Sequence, residues 1–449
     1  MSKQRIQLSD HFTYSRLLRF VLPCIGTMLF TSIYGIVDGL CVSNFVGKTA
    51  FAAVNLIMPL PMLLGTIGFM LGTGGSAIVG ITLGEGDQKK ADRYFTLFLL
   101  AALVSVSVLA VLGIVFLRPI AVLLGAKGEL LDYAVRYGRI LMVSLPTFAL
   151  QNMFQSFFVT AEKPHLGFWF TVGAGCTNMV LDVLMVGVWG WGVEGAAIAT
   201  FISQLVGGVL PVFYFIDRSN TSRLHLCQTK VYGGVLRDAC INGSSELMTN
   251  LSMSLVNILY NFQLLRLAGE NGVAAYGVIM YAAFLFVAVF VGYAVGSAPI
   301  VSFHYGARNH AEVHNLYRKS LRLIAVVAVT LTLASMFIIP CVARVFVGYD
   351  AELLALTSRA FRLYALSFLI MGFNVYASSF FTALGDGVTS ALISFLRTLA
   401  FQVLAILLLP MLLGIDGIWL AVTAAELAAL AVSAAMLLTK DKVFHYRKA

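Results

Sequence analysis

Long runs of apolar residues, interrupted by only a few polar positions, recur along the whole chain. Each run has the roughly 20 residues that a helix needs to cross the hydrocarbon core of a bilayer. A lipid-exposed backbone must satisfy its hydrogen bonds within the segment. The pattern therefore predicts an all-α integral membrane protein with twelve transmembrane helices. The runs fall near 17–43, 51–81, 94–117, 137–161, 166–189, 193–216, 234–264, 273–303, 321–347, 361–384, 388–411 and 415–438.

An internal repeat relates the two halves of the chain at a constant offset of about 222 residues. Six helices in each half give both halves the same orientation in the membrane, which is the parallel-repeat plan of two-lobed transporters. We expect an amino-terminal lobe over residues 1–218 and a carboxy-terminal lobe over 219–449, joined by a linker near 217–236. The positions that match under the shift include Gly74 and Gly296, Gly84 and Gly306, and segments 192–195 and 414–417.

Charge is scarce and unevenly distributed. Only 11% of the 449 residues are charged, too few to cover the surface of a water-soluble protein of this size. Lys and Arg in the two tails and the loops on their side outnumber those on the other side by about two to one, which places both termini in the cytoplasm. The net charge of +9 then reflects membrane topology, and we expect no nucleic-acid partner. The expected location is the plasma (inner) membrane.

Four acids lie inside apolar runs: Asp38, Asp182, Glu246 and Glu426. An ionised carboxylate near the bilayer centre costs about 2.5–3.5 kcal/mol on insertion scales, so such residues face protein or water and usually carry function. Asn178 precedes Asp182 by one helical turn and shares its helix face. Asp38, Asp182 and Glu246 are therefore candidate functional acids. Glu426 follows a stretch of small residues that is typical of close helix packing.

The acidic candidates are unequally divided between the halves. Under the repeat shift Asp38 meets Tyr260 and Asp182 meets Leu404, so we expect a cation-coupling site in the amino-terminal half. The fourth predicted helix adds a stripe of polar residues, which interhelical hydrogen bonding could also explain. This stripe consists of Tyr137, Gln151, Asn152, Gln155 and Ser156.

Pro23 lies fifteen residues before Asp38 in the first predicted helix. Proline removes a backbone N–H and its ring clashes with the preceding turn, so a kink is expected at Pro23. A kink in the helix that carries Asp38 could convert protonation into bending. A static kink fits the sequence equally well.

Several segments resemble the multidrug and toxic compound extrusion (MATE) transporters: 36–39 with Pro23 upstream, 178–182 followed by 192–200, the paired loops 84–87 and 304–309, and 414–419. The resemblance implies an antiporter that expels drugs and organic cations in exchange for H+ or Na+. No cofactor besides the coupling ion is expected, and the protein is no enzyme. The resemblance also implies cation binding at Asp38, Asn178, Asp182 and Thr200, with the amides of the fourth helix nearby, and a second-lobe acid at Glu246.

Aromatic and methionine side chains suit a cleft for varied ligands, because aromatic faces attract organic cations and Met repacks around different shapes. We expect the partners to be the lipid bilayer and small amphipathic or cationic organic substrates, and the protein to act as a monomer. Residues predicted nearest to the cleft between the lobes are Tyr34, Asn257, Tyr260, Met280 and Phe284.

The sequence gives weaker support to two other functions. A flippase for lipid-linked saccharides would need a cluster of cationic residues in its cleft to hold pyrophosphate. Arg397 is the only Lys or Arg that the predicted spans place well inside a helix, so the sequence disfavours the flippase. A membrane enzyme would need a catalytic cluster, for which a loop with His304, His310 and His314 is a weak candidate. The six cysteines form no CxxC motif, so no metal site is expected.

Overall fold

A computed structural model describes residues 6–348 and 350–447 of the chain. Within the helices, the description leaves out the side chains at positions 36, 38–44, 48, 51, 342, 345 and 346. The described residues are almost entirely helical and contain no β-strand. The all-α prediction is confirmed.

The first lobe consists of the helices before the linker. Prolines divide two of the predicted runs, because a residue without an N–H fits the first turn of a helix better than its interior. Pro59 separates α2 from α3, and Pro211 lies at the start of α8. The helices are α1 (Tyr14–Phe45), α2 (Lys48–Ile57), α3 (Pro59–Gly84), α4 (Gln88–Leu123), α5 (Gly128–Thr160), α6 (Pro164–Asp182), α7 (Gly192–Gly208) and α8 (Leu210–Ile216).

The second lobe begins with a 74-residue helix that contains two predicted spans. Gly269 divides it, with a φ of 61° and a ψ of −151° that only glycine adopts readily. The helices are α9 (Gly233–Gly306), α10 (His310–Val347), α11 (Ala351–Ala365), α12 (Phe368–Ala383), α13 (Gly387–Phe395), α14 (Phe401–Leu413), α15 (Ile415–Thr439) and α16 (Asp441–Phe444).

The described helices account for twelve membrane spans. Nine of them are long and apolar enough to cross a bilayer, and α11 and α12, bent by 46° at their junction, together make a tenth. The break in α9 adds one span to that number. The 33-residue α5 is more polar, yet it exceeds the length that a span requires. The twelve-helix architecture with a repeat in each half is confirmed.

The repeat is also visible in the backbone. Gly47 has a φ of 103° and its repeat mate Gly269 a φ of 61°, while Gly192 and Gly414 have φ values of 60° and 59°. These are left-handed conformations that a side chain would strain. The chain therefore turns at equivalent points in both lobes because glycine occupies equivalent positions.

The loops lie on two faces of the molecule. The terminus face carries the N-terminal strap (residues 6–13), the linker between α8 and α9, and the tail after α15. The opposite face carries the turns before α2, between α6 and α7, at Gly269, and before α15.

Glycines bring the two lobes into backbone contact. A Cβ on Gly84 would overlap the carbonyl oxygen of Phe303, and a Cβ on Gly306 would overlap the carbonyl oxygen of Ile81. Ile81 and Phe303 are themselves repeat mates, so the two contacts are related by the pseudo-twofold axis of the lobes. Gly243 makes a third such approach, to the backbone of Met70. These approaches lie in the half of the helices nearest the terminus face.

The N-terminal strap also connects the lobes at the terminus face. The backbone N–H of Leu8 donates to Glu162 Oε1 in the first lobe at 2.9 Å, and that oxygen also accepts from Arg223 at 2.6 Å. The N–H of Phe12 donates to Glu312 Oε1 in the second lobe at 2.9 Å. Both carboxylates are buried. The structure is therefore closed at the terminus face.

Asp386 caps α13 and ties it to the end of α15. Its carboxylate accepts hydrogen bonds from the N–H of Thr389 at 3.2 Å and from the Thr389 hydroxyl at 2.7 Å, and Lys440 Nζ lies 2.8 Å away. Burial works to raise the pKa of Asp386, but the hydrogen bonds from Lys440 and Thr389 outweigh it and hold the pKa below its ordinary value.

We expect Asp386→Ala to lower the free energy of unfolding by about 1–2 kcal/mol, because it removes the cap. Asp386→Asn keeps an acceptor for the cap and loses only the ion pair. Because the folded pKa is depressed, the ion pair stabilises the protein above the unfolded pKa of about 3.9 and is lost as pH falls through the folded pKa. Thermal unfolding in detergent should show a wild-type advantage over Asp386→Asn at pH 7 that shrinks below pH 4. An advantage independent of pH would contradict this account.

Candidate ion-coupling site

The first lobe holds a buried carboxylate at the end of α6. Asp182 is 0% exposed, and Asn178, one turn earlier, is 2% exposed. The Asn178 amide nitrogen has no hydrogen-bond partner among the described residues. A π-helical turn, Val183–Val188, follows Asp182 directly, and such turns are frequent at functional sites. The carboxylate and the amide share a helix face that is removed from bulk water.

Tyr137 and Thr200 lie in the same half of the lobe as this carboxylate. Tyr137 is 1% exposed and packs in an apolar cluster with Val186 of the π-helical turn and Ala196 of α7. Val186 is one turn beyond Asp182, and Thr200 is one turn beyond Ala196. The structure therefore brings α5, α6 and α7 together around Asp182, near the opposite face.

Helix α1 also packs against α6. Tyr34 and its neighbour Phe30 cover Gly175, where a Cβ would meet both rings. Asp38 lies one turn beyond Tyr34 on the same helix, and its side chain is outside the described residues, so its role in coupling stays a prediction. Helix α1 continues through Pro23, whose carbonyl accepts from the Thr27 hydroxyl at 2.9 Å. The proposed bending at Pro23 also stays a prediction.

The three amides of α5 lie elsewhere in the lobe. Fourteen residues separate Tyr137 from Gln151, about 21 Å along a helix. Gln151 packs on Gly207 of α7, and Gln155 lines a crevice with Thr27 of α1. Asn152 is 5% exposed. The structure thus places these amides in the half nearest the terminus face and does not bring them to Asp182.

The predicted cleft residues have different environments. Tyr260 is 2% exposed and stacks on Tyr276 with ring centroids 4.8 Å apart, and the Tyr276 hydroxyl donates to Asn257 at 2.7 Å. Met280 is half-buried, and Phe284 is exposed on the same helix. Tyr260 is therefore part of the second-lobe interior, while Asn257 and Phe284 have surface that a ligand could reach.

The second lobe contains a polar network that the sequence interpretation missed. Glu426 is 2% exposed, and its Oε2 accepts from the Asn374 amide at 2.7 Å. The Ser433 hydroxyl donates to the Asn374 carbonyl oxygen at 2.9 Å. Arg397 Nε lies 3.9 Å from Glu426 Oε1. Half-buried Glu246 is close enough for the charge of Arg397 to act on it. Glu426, assigned from the sequence to helix packing, is thus the centre of a charged network.

The internal repeat of the sequence could have pointed to Asn374 and Glu426. Asn374 and Glu426 are the repeat mates of Asn152 and Gln204, which lie on α5 and α7 of the first lobe. Gln204 was also missed, although it lies one turn beyond Thr200; it is 9% exposed, and its carbonyl oxygen has no hydrogen-bond partner among the described residues.

The chemistry open to the first-lobe site is the binding and release of a small cation. A buried carboxylate beside a neutral amide can hold a proton or a monovalent ion, because the amide can hydrogen-bond either form of the acid. Among the described residues no group of three or more His, Cys, Asp or Glu side chains could hold a metal ion. Two six-helix lobes, each with a buried carboxylate in its interior, define a two-lobed membrane transporter.

Comparison with known proteins agrees with this class. The sequence matches the MatE family over residues 23–184 and again over 247–408, once in each lobe. The chain therefore belongs to the MatE family and is a multi-pass membrane protein. The match confirms the resemblance to MATE transporters seen in the sequence.

Relatives with known names match over nearly their full length. The chain is 20% identical over 434 residues to the multidrug export protein MepA of Staphylococcus saprophyticus, covering 96% of this chain and 95% of that protein. It is 22% identical over 433 residues to MepA of Staphylococcus aureus strain MSSA476, with the same coverage.

Solved structures share the fold along the entire chain. The crystal structure of MATE in complex with MaL6 has a TM-score of 0.92 at 22% identity and covers 100% of both chains. The outward-facing conformation of a multidrug resistance MATE family transporter of the MOP superfamily has a TM-score of 0.92, also at 22% identity and 100% of both chains.

Proposed function

We propose that the chain is a secondary antiporter of the plasma membrane that exports organic cations and drugs in exchange for H+, or else Na+. The observation that carries the proposal is Asp182, fully buried beside Asn178 in one lobe of a two-lobe repeat. The names of the MepA relatives support drug export. The transporter acts as a monomer, with the bilayer and the substrate as its partners.

The exchange of substrate for coupling ion follows from their competition for the same carboxylate. We infer that the terminus face is cytoplasmic, because basic residues concentrate there. Closure of that face by the glycine contacts and the strap then corresponds to a state open to the outside. An ion that enters from outside neutralises Asp182, with Asp38 as the second acid, and favours release of the cationic substrate. A ligand shifts the two states only by its differential affinity for them.

The contacts of Arg397 favour the antiporter over the saccharide flippase. A flippase cleft would present cations to a pyrophosphate group. Arg397 instead forms an ion pair with Glu426 and its charge also acts on Glu246, so its charge is already balanced by carboxylates of its own lobe. The aromatic and acidic groups of the lobe interiors suit a cationic ligand better.

Transport in proteoliposomes tests the function. The expected result is export of tetraphenylphosphonium driven by an imposed pH gradient. A second arm of the same experiment imposes a sodium gradient instead. Tetraphenylphosphonium movement that is insensitive to both gradients would contradict antiport. Translocation of lipid-linked saccharide in its place would favour the flippase.

A further inference from the structure

Three charged groups lie on segments of the second lobe that pack against one another, away from the proposed coupling site. Arg397 lies in the π-helical turn Leu396–Ala400, Glu426 near the middle of α15, and Glu246 in the first half of α9. The Nε of Arg397 is 3.9 Å from Glu426 Oε1. The turn that carries Arg397 also packs against α9, the helix that carries Glu246, and the charge of Arg397 acts on both carboxylates. One cation is therefore shared between two acids.

The two acids differ in their position relative to the junction of the lobes. The Glu426 side chain is 2% exposed and that of Arg397 is 14% exposed, whereas Glu246 is half-buried. Gly243, one turn before Glu246, contacts the backbone of Met70 in the first lobe. Glu246 therefore lies beside the junction of the lobes, where alternation would change its surroundings, while Glu426 stays inside its own lobe.

The first lobe has neither member of the ion pair. The repeat mate of Glu426 is Gln204 and that of Arg397 is Gly175, while Asn374, which binds Glu426, corresponds to Asn152. The repeat thus places a neutral glutamine in the first lobe at the position where the second lobe has the carboxylate that Asn374 binds. At these two repeat positions, the carboxylate of Glu426 is present in the lobe where Arg397 accompanies it and absent from the other lobe, which fits the high cost of an unpaired charge at this depth.

Other titratable groups near the cluster are tyrosines. Tyr364 on α11 is affected by the charges of both Glu426 and Arg397, and Tyr276 on α9 is near Tyr364. Tyr260 stacks on Tyr276. A phenol is neutral at physiological pH, so the guanidinium of Arg397 is the positive charge that compensates the two carboxylates.

We propose that Arg397 determines where coupling ions bind: its guanidinium acts as a tethered cation for Glu426 and Glu246, so the ions that drive transport bind only in the first lobe. Arg397 occupies in every state the place that a proton or sodium ion would otherwise take. The proposal rests on the antiporter function and adds the site and number of its coupling ions.

Removing the tethered cation has a defined consequence. In Arg397→Gln, Glu426 takes a proton and keeps it, because it is buried within one lobe. Glu246 also needs a cation, but its position beside the lobe junction lets that cation bind in one state and leave in the other. The variant is expected to move one more ion per substrate than the wild type.

The experiment measures the ion-to-substrate ratio in proteoliposomes, from the gradient that just reverses tetraphenylphosphonium flux. The ratio should rise by one in Arg397→Gln, return to the wild-type value in the double variant Arg397→Gln/Glu246→Gln, and stay at that value in Arg397→Lys. An unchanged ratio in Arg397→Gln overturns the proposal, and so does a raised ratio that persists in the double variant.

A second variant keeps the test decisive if Arg397→Gln does not fold. Glu246→Gln with Arg397 in place should retain the wild-type ion-to-substrate ratio, whatever its transport rate. A ratio lowered by one would show that Glu246 binds a coupling ion and would overturn the proposal. Wild-type protein that couples to no ion gradient would instead refute the antiporter function itself, so the two failures are distinguishable.

Discussion

Replacement of Asp182 with asparagine is expected to abolish ion-driven export of tetraphenylphosphonium, with a rate at least tenfold below wild type. Asparagine has nearly the shape of aspartate but can neither exchange a proton nor neutralise a cation. Asp182 is fully buried beside Asn178, so no solvent-exposed group can replace it. The measurement is gradient-driven flux in proteoliposomes at matched protein content.

The matched control is Asp132→Asn, the same chemical change at an exposed position of α5 in the same lobe. Its flux should stay within about twofold of wild type, because water already solvates an exposed carboxylate, which therefore does not need a coupling ion to neutralise it. Full gradient-driven flux in a folded Asp182→Asn protein would remove the acid from the mechanism.

Replacement of Gly84 with alanine is expected to open the terminus face. The added Cβ would overlap the carbonyl oxygen of Phe303 in the other lobe, and overpacking of this kind costs about 1–3 kcal/mol. Since 1.4 kcal/mol is a factor of ten, the closed state should lose about five- to 150-fold in population. Distances between spin labels at exposed positions 89 and 318, one in each lobe, should lengthen.

Gly277→Ala provides the control for Gly84→Ala. A Cβ at Gly277 meets nothing within 4 Å, so the same substitution in α9 should leave the distance distribution unchanged. Equal distributions in wild type and Gly84→Ala would mean that the glycine contact does not hold the terminus face closed.

Much of the fold could be predicted because the bilayer restricts the possibilities. Apolar length alone predicts the spans, and the shift of about 222 residues predicts the two lobes. The shift also pairs Gly84 with Gly306, and both proved to be points where the lobes touch. The divisions of helices at Pro59 and Gly269 follow from backbone chemistry, but apolar runs do not reveal them.

The position of the α5 amides could have been derived from helix geometry. Tyr137 and Gln151 are on one continuous helix, and the rise of 1.5 Å per residue separates them by about 21 Å. A shared polar character grouped them in the sequence interpretation, although depth in the membrane divides them. Among the polar residues of the α5 stripe, only Tyr137 lies in the same half of the lobe as Asp182.

The charged network of the second lobe could not be predicted from a linear pattern. Glu426 and Asn374 are 52 residues apart and on different helices, so their contact depends on the way α12 and α15 pack. The repeat offered one indication, because Asn152 and Gln204 stand at the equivalent positions. The second lobe has Glu426 and Arg397 where the first lobe has Gln204 and Gly175. This joint appearance of an acid and a base becomes visible only when the two lobes are aligned.

The most direct test of the account is proton release on substrate binding to purified protein in weakly buffered detergent. If substrate and proton compete for the carboxylate of Asp182, addition of tetraphenylphosphonium should release about one proton per bound substrate from wild type and distinctly less from Asp182→Asn. Binding of the substrate to wild type without release of protons, in the absence and in the presence of sodium, would contradict proton competition. Equal release from both proteins would show that the exchanging group lies elsewhere.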